Sequence, residues 1–281
     1  AEHLGAAAWV GQEANEARYL WPWMFSQVEE EYEKRHGIDR AHLRAISENN
    51  FANGKRNPNA QTRGWAITDE HLGENDEVNP RIEGRLRKSD CGQVTDGAAA
   101  IFLASRAYAE KWAKRRGIAL ESVPRIKGWG HTTAPLMYQR KINDSKGQPY
   151  VFPFVRKAMM DALGRAGLAD VYACDGVEVH DCFSITEYMA IDHFGITPPG
   201  ESWRAIEDGT IALGGKLPVN ASGGLIGTGH PVGATGVRMM LDSWRQVTGN
   251  AGDYQIDGAR NIATFNVGGS ATTACSFVVG F

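Results

Sequence analysis

A ten-residue stretch, Gly227-Thr228-Gly229-His230-Pro231-Val232-Gly233-Ala234-Thr235-Gly236, constrains this chain more than any other. It sets a histidine at the mouth of a glycine-rich loop. Val237, Met240, Leu241 and Trp244 then recur at three- and four-residue spacing, so a helix is expected over 232–247. Pro231 suits the first helical turn, where no backbone N–H is needed. A histidine held there can donate to an oxygen that becomes negative during a reaction. The glycines let backbone or ligand approach closely. The spacing is not that of a dinucleotide fingerprint, and no acidic residue about twenty positions on completes one. By itself the loop reads as a tight strand-to-helix turn with an incidental histidine. Two other segments change that.

The first is Val177-Glu178-Val179-His180-Asp181-Cys182-Phe183-Ser184. A short apolar run at 176–179 reads as a buried strand, followed by His, Asp and Cys and then a helical pattern through Ile185, Met189 and Ile191. Ligand chemistry concentrates at strand ends in α/β sheets. A cysteine beside ionisable neighbours could favour the thiolate and move protons near neutral pH, although a lone Cys is more often buried and inert. The second is Phe265-Asn266-Val267-Gly268-Gly269-Ser270, after an apolar strand over 262–265. Its glycines could present bare backbone N–H groups, as an oxyanion hole requires, or form an ordinary hairpin turn into a last strand over 274–279.

In this order the three segments resemble the C-terminal half of a thiolase, and His-Asp-Cys-Phe resembles the sterol-carrier-protein type with its bacterial lipid-transfer-protein relatives. Thr95-Asp96-Gly97-Ala98-Ala99-Ala100, Gly214-Gly215-Lys216, Asn220-Ala221-Ser222-Gly223-Gly224 and Asn57-Pro58-Asn59-Ala60-Gln61 match as well. The resemblance runs over most of the chain. It implies an α/β, layered αβαβα fold: a remainder of the N-terminal half over 1–130 with an inserted loop domain at about 20–88, then a complete C-terminal half over 131–281. It also implies acyl-CoA C-acyltransferase chemistry: thiolytic cleavage of a 3-oxoacyl-CoA, or the reverse Claisen condensation.

The resemblance assigns roles residue by residue. His230 donates to the thioester oxygen of the enolate, and His180 orients the same site. Cys182 is the acid/base, and the Gly268 N–H serves a second oxyanion hole. Asn266 stands where many thiolases carry a second cysteine. Ser222 and Gly223 are implied at the coenzyme A site. So are Lys55, Arg56 and Arg63, as phosphate ligands, although each is equally a solvated surface charge. Coenzyme A is implied as co-substrate, with no covalently bound cofactor and no metal. A homo-oligomer, dimer or tetramer, is expected.

The larger departure is the acyl-accepting cysteine, which the family carries on a helix in its N-terminal half. This chain has only Cys91, Cys174, Cys182 and Cys275, and none lies in that context. Ala1-Glu2-His3 matches the stretch after that helix. The nucleophile segment is therefore expected to have been cut off, to lie outside this sequence, to come from another chain, or to have been lost. Two other readings follow. One is retro-aldol cleavage of a 3-hydroxyacyl-CoA with a partner bearing a small β-barrel and a zinc ribbon. The other is a non-catalytic acyl-CoA-binding subunit.

A net charge of −3 gives no support to a nucleic-acid or membrane-surface partner. No apolar run is long enough to cross a bilayer. Four unpatterned cysteines suggest neither a disulfide framework nor zinc, and a reducing, cytoplasmic setting fits. Along the chain, a helix is expected over 22–36, with its charges on a solvated face. Residues 40–88, rich in Asn, Arg and Gly, read as a long surface excursion. Trp21, Trp23 and Phe25 fit core, pantetheine contact or subunit contact alike. A small-residue strand is expected at 97–104, a helix at 105–116, a strand at 124–130 and a helix at 152–166. Alternation of this kind indicates an α/β class.

Overall fold

The computed structural model describes residues 5, 7–9 and 11–281; Ala1, Glu2 and His3 lie outside them. Its centre is a four-stranded sheet in the order β3-β6-β5-β4, with β3 at Arg125–Thr133, β4 at Gly176–Val179, β5 at Asn261–Gly268 and β6 at Thr273–Gly280. β3, β6 and β5 run antiparallel in turn, and β4 joins parallel to β5, with Val179 opposite Phe265. The expected strands at 124–130, 176, 262 and 274 are all present. Every residue of β4 is buried, Glu178 among them, whose carboxyl is met by the Ser222 N–H and hydroxyl.

Helices cover both faces. α6 (Pro153–Arg165) packs on β3 and β6. Its backbone lies so close that a Cβ on Gly130 would sit 1.7 Å from the Ala158 carbonyl oxygen, and one on Gly128 2.0 Å from that of Ala162. The Gly-Trp-Gly alternation in β3 is thus the sequence trace of a helix pressed onto a strand. α7 (Ser184–Phe194) lies on the same side and sets Phe194 edge-on against Phe265. On the opposite face, α10 (Thr235–Val247) covers β5 and β6, where Val247, Ile262 and Val279 form a small separate core. Strand alternation therefore puts Phe265 and Val267 under α6 and α7, and Thr264, Asn266 and Gly268 on the α10 side.

Two expectations fail. Residues 40–88 are not an irregular excursion: α2 (Arg40–Arg56) is a 17-residue helix capped by Asp39, whose carboxylate accepts from the Ala41 N–H. A short helix α3 (Asp69–Leu72) and a hairpin of β1 (Arg81–Glu83) and β2 (Leu86–Arg87) follow. Nor do residues 97–104 form a strand. They join neither sheet among the described residues, and Phe102 and Leu103 project into solvent at 101% and 72% exposure. Gly and Ala have low strand propensity, and among the described residues no strand lies alongside to complete a ladder. The helix that follows, α4 (Arg106–Arg116), is as expected: Ser105 caps it, Lys114, Arg115 and Arg116 fill its last turn, and Gly117 ends it in the left-handed conformation.

α1 (Leu20–His36) closes over the sheet's helical layer. Phe25 is core, stacked on Phe183 at 4.7 Å, while Trp21 and Trp23 are partly buried against the same cluster. α8 (Ser202–Glu207) and α9 (Gly224–Thr228) complete the helices named here, with α5 (Tyr138–Asp144) lying before α6. α9 packs on α2 through backbone: a Cβ on Gly227 would stand 2.0 Å from the Asn50 carbonyl oxygen.

Candidate active site

β4 ends at Val179 because its ladder is taken over by a side chain: the Val179 N–H donates to Asn220 Oδ1 at 2.8 Å. Asn220 holds φ at +53°, a left-handed conformation that asparagine tolerates better than most residues. The chain then turns through His180, Asp181 and Cys182 into α7. The three side chains separate. Asp181 points inward, accepting from the Leu225 N–H at 2.6 Å, the Ile226 N–H at 3.0 Å and Asn50 Nδ2 at 2.9 Å. It therefore caps α9, the element that leads directly to His230. His180, Cys182 and His230 are each less than a tenth exposed.

His230 is fixed by its backbone as well as its ring. Its N–H donates to the Gln93 carbonyl at 2.8 Å, and its own carbonyl accepts from the Thr95 N–H at 3.2 Å. Gly229, at φ +109°, permits this close approach, since a Cβ there would lie 3.1 Å from Thr95 Oγ1. Pro231 does not open the helix as expected. Residues 231–234 form a turn in which the Pro231 carbonyl accepts from Ala234 and Thr235 N–H, and α10 begins at Thr235.

The two imidazoles meet edge to face, with ring centroids 5.1 Å apart and planes at 89°. Their tautomers follow from their partners. Thr235 Oγ1 lies 2.7 Å from His230 Nδ1. The Thr235 hydroxyl also reaches the Pro231 carbonyl oxygen at 3.1 Å, but that carbonyl already accepts two backbone N–H groups, so we assign the hydroxyl proton to the nearer His230 Nδ1. The ring proton then sits on Nε2. Asn266 Nδ2 donates to His180 Nδ1 at 3.3 Å, which likewise leaves the His180 proton on Nε2. Both rings are neutral. Burial pushes His230 down to about 4, helped by the Arg238 guanidinium, and burial, His230 and Arg238 hold His180 well below the ordinary imidazole value.

The cysteine reverses its expected character. Burial raises the Cys182 thiol to about 12, and its Sγ lies 3.7 Å from Thr186 Oγ1. Cys91, Cys174 and Cys275 are also raised, each chiefly by burial. Burial thus disfavours the thiolate at all four cysteines, Cys182 included. The adjacent carboxylate lowers no thiol pKa, and desolvation disfavours the anion.

His180, Cys182, His230 and Asn266 thus lie on neighbouring elements at the β4 and β5 ends. Gly268 is the exposed last residue of β5, on the same face as Asn266 and opposite Thr273. Ser222 and Gly223 are buried inside the scaffold: Ser222 Oγ donates to Glu178, and Gly223 sits against Gly54 of α2. Lys55 and Arg56 are exposed at the end of α2, Arg56 donating to Asn53 Oδ1, and Arg63 is exposed in the loop beyond. A groove of about 400 Å³ runs beside the turn after His230, between Thr95, Gly97, Pro231 and Val237. Thr235, Gln93 and Asn220 support the site: Thr235 and Asn220 stand within the sequence motifs without an assigned role, and Gln93 stands outside them. Thr235, one turn beyond the histidine, was the legible one. Chemically, the arrangement offers two neutral N–H donors for one developing oxyanion and a thiol able to protonate carbon.

The same architecture occurs in known proteins. The chain is 30% identical to an acetyl-CoA acetyltransferase of Methanothermobacter thermautotrophicus over 90% of this chain and 62% of that protein. It is 29% identical to sterol carrier protein 2 of Gallus gallus over 93% of this chain and 46% of that one. The chain therefore spans about half to three-fifths of the length of these relatives. Among solved structures, one described as an Ltp2-ChsH2(DUF35) aldolase matches with a TM-score of 0.73 at 19% identity, covering all of this chain and 68% of that one. Residues 139–280, just over half of the chain, match the thiolase C-terminal domain-like model, and the chain belongs to that family.

Proposed function

We propose that this chain serves an acyl-CoA C-acyltransferase of the thiolase type, cleaving 3-oxoacyl-CoA with CoA or running the reverse condensation, on a cytoplasmic pool of lipid-derived or related acyl chains. The paired Nε2–H donors of His180 and His230 carry this reading. In the cleavage direction the CoA sulfur, having lost its proton, bonds to the 3-oxo carbon. The C2–C3 bond breaks, and its electron pair delocalises onto the thioester oxygen between the imidazoles. Cys182 gives its proton to C2, and the thiolate left behind takes the proton of the next CoA thiol, which thereby enters as the attacking thiolate; the first CoA enters as its thiolate from solution. The Gly268 N–H meets the oxyanion at C3. Lys55, Arg56 and Arg63 face the CoA phosphates from a loop domain over about 20–88, and a homo-oligomer is the working assembly. His230→Ala should lower thiolytic turnover of a 3-oxoacyl-CoA by about 100-fold or more, as loss of an oxyanion donor does; unchanged turnover overturns the reading.

One observation favours a second reading. The solved structure described as an Ltp2-ChsH2(DUF35) aldolase shares this fold over the whole chain with a TM-score of 0.73. Retro-aldol cleavage of a 3-hydroxyacyl-CoA needs the enolate site but no acyl-enzyme. The partner in that case is a small β-barrel and zinc-ribbon protein. Cleavage that proceeds at the same rate without free CoA selects this reading over the first.

A further inference from the structure

Lys141, in α5, is 1% exposed, and all three ammonium protons go to neutral oxygens rather than to a carboxylate. Its Nζ donates to the Ser270 carbonyl at 2.6 Å, to Ser270 Oγ at 2.6 Å and to Thr272 Oγ1 at 2.9 Å. Burying a cation in this way is costly. Desolvation draws its pKa down to about 8 against the opposing influence of Glu13.

The two residues that Lys141 grips flank Ala271. Ala271 has φ +58°, a conformation that L-residues avoid, and Gly269 has φ +63°. Strained non-glycine backbone persists only where its surroundings over-determine it, and it clusters at functional sites. Here the determinant is visible: one ammonium bridges the residue before and the residue after. This turn also continues β5 out of the site. Asn266, which donates to His180, and Gly268 share one face of that strand, so any shift of the turn moves the Gly268 N–H relative to both imidazoles.

We propose that Lys141 is a positioning residue for the active site: by stapling Ser270 to Thr272 across Ala271 it holds the 268–272 turn so that the Gly268 N–H meets the oxyanion. The proposal rests on the reading of Gly268 given above, and it adds a residue from a helix that does not touch the reacting groups.

The test compares wild type, Lys141→Met, Lys141→Arg and Ser270→Ala by amide hydrogen exchange and steady-state kinetics with a 3-oxoacyl-CoA and CoA. Lys141→Met should speed exchange across 268–272 by about tenfold. It should lower kcat by about tenfold, the scale of a small misplacement of a catalytic group, with KM within about twofold. Lys141→Arg, which keeps the charge, should recover part of both. If Lys141→Met does not fold, Ser270→Ala provides the same readouts with smaller changes. Unchanged exchange overturns the proposal, because the lysine then does not order the turn. Faster exchange with unchanged kcat also overturns it, because the turn then does not serve catalysis. A wild type inactive on acyl-CoA defeats the functional reading instead, and exchange alone then decides whether Lys141 holds the turn.

Discussion

Asp181 and His230 are linked through the N-terminus of α9: the Asp181 carboxylate accepts the Leu225 and Ile226 N–H groups, and α9 runs straight into the turn that carries His230. Asp181 is also the neighbour of His180 in the chain. One carboxylate therefore ties the end of β4 to the element that presents the second imidazole, beside which the two rings meet edge to face.

Asp181→Asn should lower stability by about 2 kcal/mol, because an amide cannot accept all three bonds and leaves a buried donor unmet. Urea unfolding at pH 7.5 measures this. Catalytic turnover should fall as well, since the His180–His230 geometry loosens. A variant as stable and active as wild type would show that the cap is dispensable.

Thr235→Val removes the hydroxyl that fixes His230 with its proton on Nε2. Turnover should fall about tenfold, the worth of one buried hydrogen bond of about 1.4 kcal/mol, with KM little changed. Thr235→Ser should restore most of it. Equal losses in the Val and Ser variants would point to packing rather than to the tautomer.

Glu178 gives a signed pH effect. It is buried, accepting from the Ser222 N–H at 3.0 Å, and burial with the nearby Asp242 carboxylate raises it to about 7, against the lowering influence of Arg238. The folded state thus holds this proton up to about pH 7, whereas the unfolded chain releases it near 4.5. The group's contribution to stability is fully present below the unfolded value and is lost as pH rises through the folded one. Glu178→Gln cannot lose the proton, so its Tm relative to wild type should rise between pH 5 and pH 8. His180 and His230 act in the opposite direction below about 6.5, but they are present in both proteins and cancel in the difference. A Tm difference that is flat or falls with pH contradicts the assignment.

Cys182 should resist alkylation. With its thiol raised to about 12 and its side chain buried, iodoacetamide at pH 8 should label it more slowly than the half-exposed Cys275. Mass spectrometry of timed digests reads both rates. Preferential labelling of Cys182 would mean that it is an activated thiolate and not a proton donor.

Much of this was legible in the sequence because it rests on local chemistry. The strand at 176–179, the helix at 153–165 and the last two strands follow from apolar runs and periodicity. His180, Cys182 and His230 stand at strand ends and loop mouths, which glycine, proline and polar punctuation mark. The helix α2 was not legible. Asn50, Asn53 and Gly54 are poor helix formers, and they are helical because Asn50 bonds Asp181 and Glu187, Asn53 bonds the Asn220 carbonyl, and Gly54 lets α9 approach. These partners lie far away in the chain.

α10 shows the limit most sharply. Its apolar stripe is half-exposed, with Trp244 at 43%, while Thr235, Asp242, Ser243 and Gln246 are buried. Periodicity announces the helix, but only the hydrogen bonds of Asp242 to Arg238 and Tyr254, and of Gln246 to the Tyr254 carbonyl, show which face turns inward. Sequence by itself determined the alternating α/β pattern and the chemical identity of the site residues. Tertiary structure decided their states. Whether a cysteine is a thiolate, which histidine nitrogen carries the proton and whether a lysine stays charged all depend on burial and partners, and both are set by segments that meet only in the folded chain.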